Sequence, residues 1–403
     1  MTKKHEIRQA IQDLPDGIPH ELWRVLLKQS ELTTHNHRPN FNILGALVAV
    51  YNDIEHFGTI ASTHFSEGWM CPIYKKNDKT DISNYCPITV LNTDYKIFTK
   101  TLMNRLTTVA PYLIHPDQAG FMKGRKIADQ TDLIQLMINK CETDHNNGAI
   151  VCLDQEKAYD KIAHPFLWAT LRKLNFPNHF INTVKSLYQH ACTNVIINGE
   201  ISSSFLVTRG VRQGNPLSCL LFNLAIESLA SLLRNSSLMG LTIPGLPDRL
   251  VITLFTDDTT VYLSTSDNYE ILQSILDQWC AVSGTKFNTQ KTVLLLTGPP
   301  DYHQSVLITH CLHASHPPIP DYIRIVHDGK PARALGAFVG NHVGQIGIWS
   351  HIINKIDASL HQWGKSHPTY DGKQLIINMV VGGLTQYLTR VQGMPLHIEQ
   401  TLT

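Results

Sequence analysis

The sequence predicts an α+β protein, and three observations carry that prediction. Apolar residues at helical spacing dominate both ends, over residues 1–60 and 345–403. Short β-branched apolar runs cluster in the middle, at 149–153, 194–208 and 250–263. Amphipathic helical stretches separate those runs. The chain has 403 residues, 43% hydrophobic and 17% charged, which suits two or three packed domains and excludes global disorder. A net charge of +1 excludes a uniformly basic nucleic-acid coat, so any polyanion must meet a local patch.

Taken in order, residues 1–60 read as helical through Ile7, Ile11, Leu22, Leu26 and Leu27, broken by the turn Pro15-Asp16-Gly17-Ile18-Pro19. Residues 68–126 hold nine Lys or Arg against four Asp or Glu, a basic stretch suited to phosphate or to solvent. Ala149–Leu153 reads as a buried strand ending at Asp154, with helical spacing after it at Phe166, Leu167, Leu171 and Leu174. Asn194–Gly199 and Ser204–Thr208 predict a hairpin with a type I′ turn at Asn198-Gly199. Asn215-Pro216 begins a helix running to about Arg234, since Asn caps and Pro suits the first helical position. Leu250–Phe255 and Thr259–Leu263 are two strands around a tight turn holding Asp257-Asp258. Residues 268–284 form a helix, and 298–322, rich in Pro and His, form a loop. The tail is helical through Ile352, Ile353, Ile356, Leu360 and Trp363.

No apolar run approaches the roughly 18 residues that span a bilayer. The first residues are polar and lack a signal-peptide core, so neither secretion nor a membrane span is expected. Eight cysteines without a Cys-x-x-Cys pair point to reduced thiols in the nucleus or cytoplasm. His310-Cys311-x-His313-x-x-His316 has zinc-type ligands, but the spacing fits no closed zinc site and Pro317-Pro318 follow, so a surface loop is expected.

The chemistry centres on three acids presented by strands. Asp154 ends one strand, and Asp257 and Asp258 sit at the tip of a hairpin. Carboxylates at adjacent strand ends repel unless a cation lies between them. Hard oxygen ligands suit Mg²⁺, and a pair of such ions clamps the attacking and leaving oxygens of a phosphoryl transfer. An Asp-Asp pair by itself also simply favours a turn.

Several boxes resemble the reverse transcriptases of LINE-type non-LTR retrotransposons. Phe255-Thr-Asp-Asp258 resembles their Phe-Ala-Asp-Asp, and Leu153-Asp-Gln-Glu-Lys-Ala-Tyr-Asp160 their Leu-Asp-Phe-Glu-Lys-Ala-Phe-Asp. Gly210-Val-Arg-Gln-Gly-Asn-Pro-Leu-Ser218, Ser283-Gly-Thr-Lys-Phe-Asn288 with Lys291, and Leu335-Gly336 are similar to further boxes in family order. Gln118-Ala-Gly-Phe121 with Gly124-Arg125, Asn84-Tyr-Cys-Pro-Ile88, Asp16-Gly-Ile-Pro19, and Asp371-Gly-Lys373 with Asn378 also fit.

The resemblance implies a right-hand polymerase with a ferredoxin-like palm, fingers and a helical thumb. It implies an N-terminal helical extension over 1–60, fingers over 61–148, palm over 149–344 and a truncated thumb over 345–403. The palm span includes the hairpin near 190–210 and the loop 298–322. The implied reaction is RNA-directed DNA synthesis, with two Mg²⁺ ions, or Mn²⁺ in their place, on Asp154, Asp257, Asp258 and the carbonyl of Gln155. Tyr159 would be the sugar gate or an ordinary core tyrosine. Gln213 and Gly214 would meet the nucleotide, or Gly214 would serve only the helix start. Lys291 would donate a proton to pyrophosphate or lie idle at the surface. Lys75, Lys76 and Arg125 would meet the triphosphate and template backbone. The implied partners are an RNA template, a DNA primer or nicked target DNA, and deoxynucleoside triphosphates.

Four departures from the family pattern matter: Cys86 for a phosphate-binding Arg, Asn215 for Asp, Gln155 for Phe and Cys219 for Pro. Neither an endonuclease nor a ribonuclease H is expected in this chain. The alternative is a degenerate, catalytically weak remnant that only binds nucleic acid. Cys86 is expected to weaken nucleotide binding.

Overall fold

In the computed structural model of the chain, the described residues are 1–14, 23–28, 42–59, 61–243 and 249–403. The expected turn Pro15–Pro19, the Asp16-Gly-Ile-Pro19 match and Leu22 lie outside them. The chain forms two compact units, neither contiguous in sequence. One comprises Met1–Pro116, Glu156–Leu229 and Trp279–Lys286, and the other Asp117–Gln155, Ala230–Gln278 and Phe287–Thr403. The stretch 149–344 therefore contributes to both.

In the first unit, α1 (Lys4–Gln12) packs on α2 (Ile43–Phe57) and α3 (Thr93–Leu113). Ile7 and Ile11, four residues apart, turn one buried stripe of α1 inward. Tyr51 stacks on Phe98 at 4.8 Å. Arg105 on α3 reaches Glu6 at 2.7 Å and Glu55 at 3.0 Å. The Arg105 bond holds the Glu6 carboxyl below the ordinary carboxylate range; Glu55 is held below it, against its burial, by the Thr2 hydroxyl, the amino terminus and Arg105. The two Arg105 bonds also remove one charge from the basic stretch 68–126, so its excess overstates what reaches a ligand.

The sheet of this unit sets β1 (Glu67–Tyr74) antiparallel to β2 (Tyr85–Leu91) and parallel to β4 (Cys192–Ile197). The short strands β5 (Glu200–Ile201) and β6 (Phe205–Leu206) both pair with β4. Ile197 faces Glu200, with Asn198 and Gly199 at φ 52° and 87° between them. Positive φ at both central residues is the type I′ turn expected there. The expected return strand is split. Ser202 intervenes, its hydroxyl accepting the Val195 N–H at 2.9 Å in place of a main-chain carbonyl. Helices α5 (Ala158–Lys161), α6 (His164–Lys173), α7 (Asn178–Gln189) and α8 (Ser218–Arg234) follow their strands. Helix α8 ends where expected but starts later than Asn215-Pro216. Asn215 instead closes a turn, accepting the Leu217 N–H at 3.0 Å.

The second unit is built on a sheet in the order β12-β11-β3-β10-β9. These strands are β3 (Gly148–Leu153), β9 (Ile252–Phe255), β10 (Asp258–Ser264), β11 (Val293–Thr297) and β12 (Arg324–Val326). All neighbours are antiparallel except β11 and β12. Helix α4 (Ile127–Thr143) lays Ile134, Met137, Ile138 and Cys141 on Ile150, Tyr262 and Leu295 of the sheet. Positions three, four and seven apart share one helical face, so this is one stripe against one sheet face. Two antiparallel strand pairs, β7 (Leu241–Thr242) with β8 (Arg249–Leu250) and β13 (Ala332–Ala334) with β14 (Ala337–Val339), add to the same core.

The expected helix over 268–284 is α9 (Tyr269–Ser283), but the expected loop 298–322 needs correction, because α10 (Pro300–Thr309) occupies its first half. Proline at the first helical position lacks only an N–H that has no helical acceptor there, so Pro299-Pro300 starts a helix without breaking it. Buried His303 ties that helix to Asp328 at 2.9 Å. The tail is helical as expected, in α11 (Gln345–Gly364), α12 (Tyr370–Ile377), α13 (Gly383–Gln392) and α14 (Leu396–Leu402). Ile348, Trp349, Leu388 and Ile398 form its core. Of the expected stripe, Ile356 is buried while Trp363 stays exposed. Among the described residues no helix is long and apolar enough to cross a membrane.

Removing Arg105 leaves Glu6 and Glu55 facing each other across α1 and α2. Arg105→Met should cost about 2–4 kcal/mol in urea unfolding, less than a fully buried pair because the guanidinium keeps some solvent. Adding Glu55→Gln should recover part of that loss.

Candidate active site

The three acids come together at one end of the second unit's sheet. Leu153 pairs with Thr259, so the next residues outward, Asp154 and Asp258, face each other across the strand ends. Asp258 pairs with Phe255 and closes the β9–β10 hairpin, leaving Thr256 and Asp257 as a two-residue turn. Thr256 lies in the left-handed region at φ 60°. Asp258 is thus the first residue of a strand, not part of the turn tip.

Burial of its carboxyl, then the charges of Asp257 and Asp154, push Asp258 up to about 6. The residue keeps contact with solvent, which screens part of that repulsion. Lys291 Nζ sits 3.2 Å from Asp154 Oδ2, a cation already against the acid cluster. The Asp154 carbonyl accepts the Asn288 N–H at 2.7 Å, which pins the end of β3. Buried Gln155 pairs with Phe287 and directs its Nε2 to the Asp257 carbonyl at 3.5 Å. Its Oε1 is buried without a hydrogen-bond partner.

Among the described residues, no three His, Cys, Asp or Glu side chains form a ready ligand cage around one point. Mg²⁺ needs no such cage, since it takes one or two carboxylates and fills its shell with water and phosphate oxygens. Mutually repelling acids at strand ends, beside an orphaned amide oxygen, fit that donor set. Arg125 lies in the same unit, but its guanidinium bonds the Gln118 carbonyl.

The remaining expected residues belong to the first unit. Tyr159 on α5 stacks flat on Phe222 at 4.8 Å and 13°, and its carbonyl accepts the Val211 N–H at 2.6 Å. Gln213 reaches Asp160 at 3.5 Å. Gly214 has φ 83°, and a Cβ there would lie 2.4 Å from the Thr89 carbonyl. The close approach that needs glycine is therefore to a neighbouring strand. Lys75 and Lys76 are exposed just past β1, where the Lys75 N–H bonds the Asn84 carbonyl at 3.0 Å.

A cavity of about 540 Å³ opens in this unit, lined among others by Met70, Pro72, Tyr85, Pro87, Lys157 and Gln213. Cys86 pairs with Ile73, and strand alternation sends its side chain to the face opposite Tyr85 and Pro87.

Three residues escaped the sequence reading. Phe222, one helical turn beyond Ser218, backs the Tyr159 ring. Asp160 closes the box that begins at Leu153, and burial raises its carboxyl. Gln118 and its neighbours bind the Thr256 turn. Gln118 and Asp160 stand inside the quoted boxes, so box membership was the available signal.

Residues 73–336 match the family described as Reverse transcriptase (RNA-dependent DNA polymerase). A transposon TX1 protein of 149 kDa from Xenopus laevis is 36% identical over 224 residues, 56% of this chain and 17% of that protein. The Pol polyprotein of the type-2 retrotransposable element R2DM from Drosophila melanogaster is 27% identical over 52% of this chain and 20% of that protein. The RNA-directed DNA polymerase from mobile element jockey, also of Drosophila melanogaster, is 24% identical over 61% of this chain and 27% of that protein. The chain thus spans a fifth or less of the first two relatives. A solved telomerase from Candida tropicalis covers 63% of this chain and 55% of its own, at 14% identity and a TM-score of 0.44.

The raised Asp258 carboxyl has a consequence for stability. In the unfolded chain this group ionises near its ordinary 3.8, whereas in the fold it holds its proton to about 6. Folding is therefore favoured below that window and penalised as pH rises through it, fully so above about 6. Without divalent metal, Asp258→Asn should raise Tm at pH 7.5 by roughly 1–3 °C. The gain should fade as the pH of the scan is lowered towards 4.

Proposed function

The chain belongs to the reverse transcriptase (RNA-dependent DNA polymerase) family, and on that premise we propose that it extends a DNA primer on an RNA template. What supports this most directly is one observation: Asp154 and Asp258 face each other at the sheet end beside Asp257, with the Asp258 carboxyl raised by burial and then by the charges of the other two. Like charges gathered at strand ends repel one another, and a divalent cation held between them offsets that repulsion. The three carboxylates and the Gln155 carbonyl would hold two Mg²⁺ ions, or Mn²⁺ in their place. When bound, such ions polarise the transferred phosphoryl group and lower the pKa of the attacking hydroxyl.

The rest is done by the chain's own side chains. Asp154, Asp257 and Asp258 supply acceptor oxygens that stay ionised under a cation's field. Lys291, exposed and within reach of Asp154, gives a proton to leaving pyrophosphate. Tyr159, its ring fixed flat by Phe222, blocks a 2′-hydroxyl and so selects deoxynucleotides. Gln213 and Gly214 border the incoming nucleotide. Lys75, Lys76 and Arg125 offer charge to triphosphate and template phosphates, which dominate affinity for an A-form hybrid. Nicked target DNA serves as an alternative source of the primer 3′-hydroxyl.

Two substitutions test the reading. Asp257→Asn should lower primer extension on an RNA template by about 10³-fold or more in Mg²⁺, with the melting curve retained. Activity surviving that change would place the chemistry elsewhere. Tyr159→Val should raise ribonucleotide against deoxyribonucleotide incorporation in single-nucleotide kinetics. Unchanged sugar discrimination would reduce Tyr159 to a core aromatic.

A further inference from the structure

We infer that Gln118 is the positioning residue of the acid cluster: its side chain locks the Thr256–Asp257 turn and thereby sets the cluster's affinity for divalent metal. This deepens the proposed function and rests on it. Gln118 is wholly buried. Its Oε1 accepts the N–H groups of Thr256 and Gly120, each at 2.8 Å, and its Nε2 donates to the Thr256 carbonyl at 3.1 Å. One side chain therefore holds both main-chain groups of the residue immediately before Asp257.

That residue needs holding. Thr256 is β-branched and sits at φ 60°, a region that L side chains avoid because Cβ crowds the carbonyl. Such a conformation persists only where the surroundings over-determine it. The strut is anchored at its other end. Ala119 N–H bonds the Leu254 carbonyl at 2.8 Å, and Leu254 N–H bonds the Asp117 carbonyl at 2.9 Å, so Gln118 forms a single parallel bridge to Leu254 of β9. Gln130 Nε2 bridges the carbonyls of Asp117 and Leu254 at 2.8 and 2.6 Å, and Arg125 bonds the carbonyl of Gln118 itself. At Gly120 a Cβ would lie 2.4 Å from the Thr256 nitrogen, so only glycine lets the strut approach the turn.

Gln118 is enclosed beneath the turn and acts through Thr256. If it only filled the core, an apolar isostere would leave metal binding alone. If it positions the turn, the same isostere loosens the acids' spacing and leaves nucleotide contacts intact.

The test is Gln118→Met in the full chain, which keeps side-chain length and removes all three bonds. Direct Mn²⁺ binding, read by electron paramagnetic resonance, should weaken about 10-fold or more. The Mg²⁺ concentration for half-maximal primer extension should rise in parallel and kcat should fall, while the nucleotide KM stays within about 3-fold. A second variant, Gln118→Met with Thr256→Gly, removes the strain that Gln118 restrains, since glycine adopts positive φ freely. It should recover part of both stability and Mn²⁺ affinity. A folded Gln118→Met with parental Mn²⁺ affinity overturns the inference. So does failure of the double variant to fold, which would make Gln118 a determinant of the fold alone. Asp257→Asn is the separate control: if it binds Mn²⁺ like the parent, the metal-site reading itself fails, whatever Gln118 does.

Discussion

Three carboxylates must stand close together at the end of one sheet, and the repulsion between them is the constraint around which the second unit is arranged. Asp154 follows the last residue of β3, a strand flanked on both sides and therefore fixed in register. A slip by one residue would turn every side chain of β3 to the other face and carry Asp154 away from Asp258. The stripe of Ile134, Met137, Ile138 and Cys141 on α4 supplies the apolar burial that opposes such a slip. On the other arm, the geometry of the hairpin tip depends on side-chain bonds from outside the hairpin, which the buried amides of Gln118 and Gln130 supply to Thr256 and Leu254.

The first unit solves a different problem with related means. The segment 209–215 must lie tight against the residues that carry Tyr159. Gly210, at φ 81°, would bring a Cβ within 2.6 Å of the Tyr159 carbonyl. Arg212 is the clearest case of a motif charge spent on structure. It is buried, donates to the carbonyls of Ser66 and Cys192, and lies against the Tyr95 ring. A charge-assisted donor there joins β1 to β4. Arg105 is likewise consumed by Glu6 and Glu55. The exposed lysines near position 75 remain as surface charge, which fits a chain whose net charge is +1.

The class of fold and the three acids were legible because they depend on local signals. β-branched runs ended by Asp, an Asn-Gly turn and a stripe at three-four spacing each declare themselves within ten residues. What escaped was long-range or parity-dependent. Helix α10 hid under a Pro- and His-rich composition that usually marks loops, although Pro299-Pro300 suits a helix start. Strand β11 is short, and only its pairing with β3 identifies Val293–Thr297 as a strand and not a buried helical turn. The side of the sheet that Cys86 faces follows from its partner Ile73, and no single-strand reading supplies the partner. The Gln118 bonds span 138 residues to Thr256, beyond the reach of any local pattern.

The departures from the family pattern take on meaning once their surroundings are known. Asn215 still accepts the Leu217 N–H and also donates to the Tyr95 hydroxyl at 3.3 Å, which a carboxylate would not do. Cys219 lies near Tyr159, one turn from the Phe222 that backs its ring. Gln155 brings a polar amide to the Asp257 carbonyl where a phenyl ring would only fill space. Cys86 leaves β2 on the side away from the cavity. None of the four removes a carboxylate from the sheet end or unpins the turn that carries Asp257. The gathered acids and the left-handed Thr256 are each costly, and the buried Gln118 and the glycine at position 120 are what make the strained turn between them sustainable.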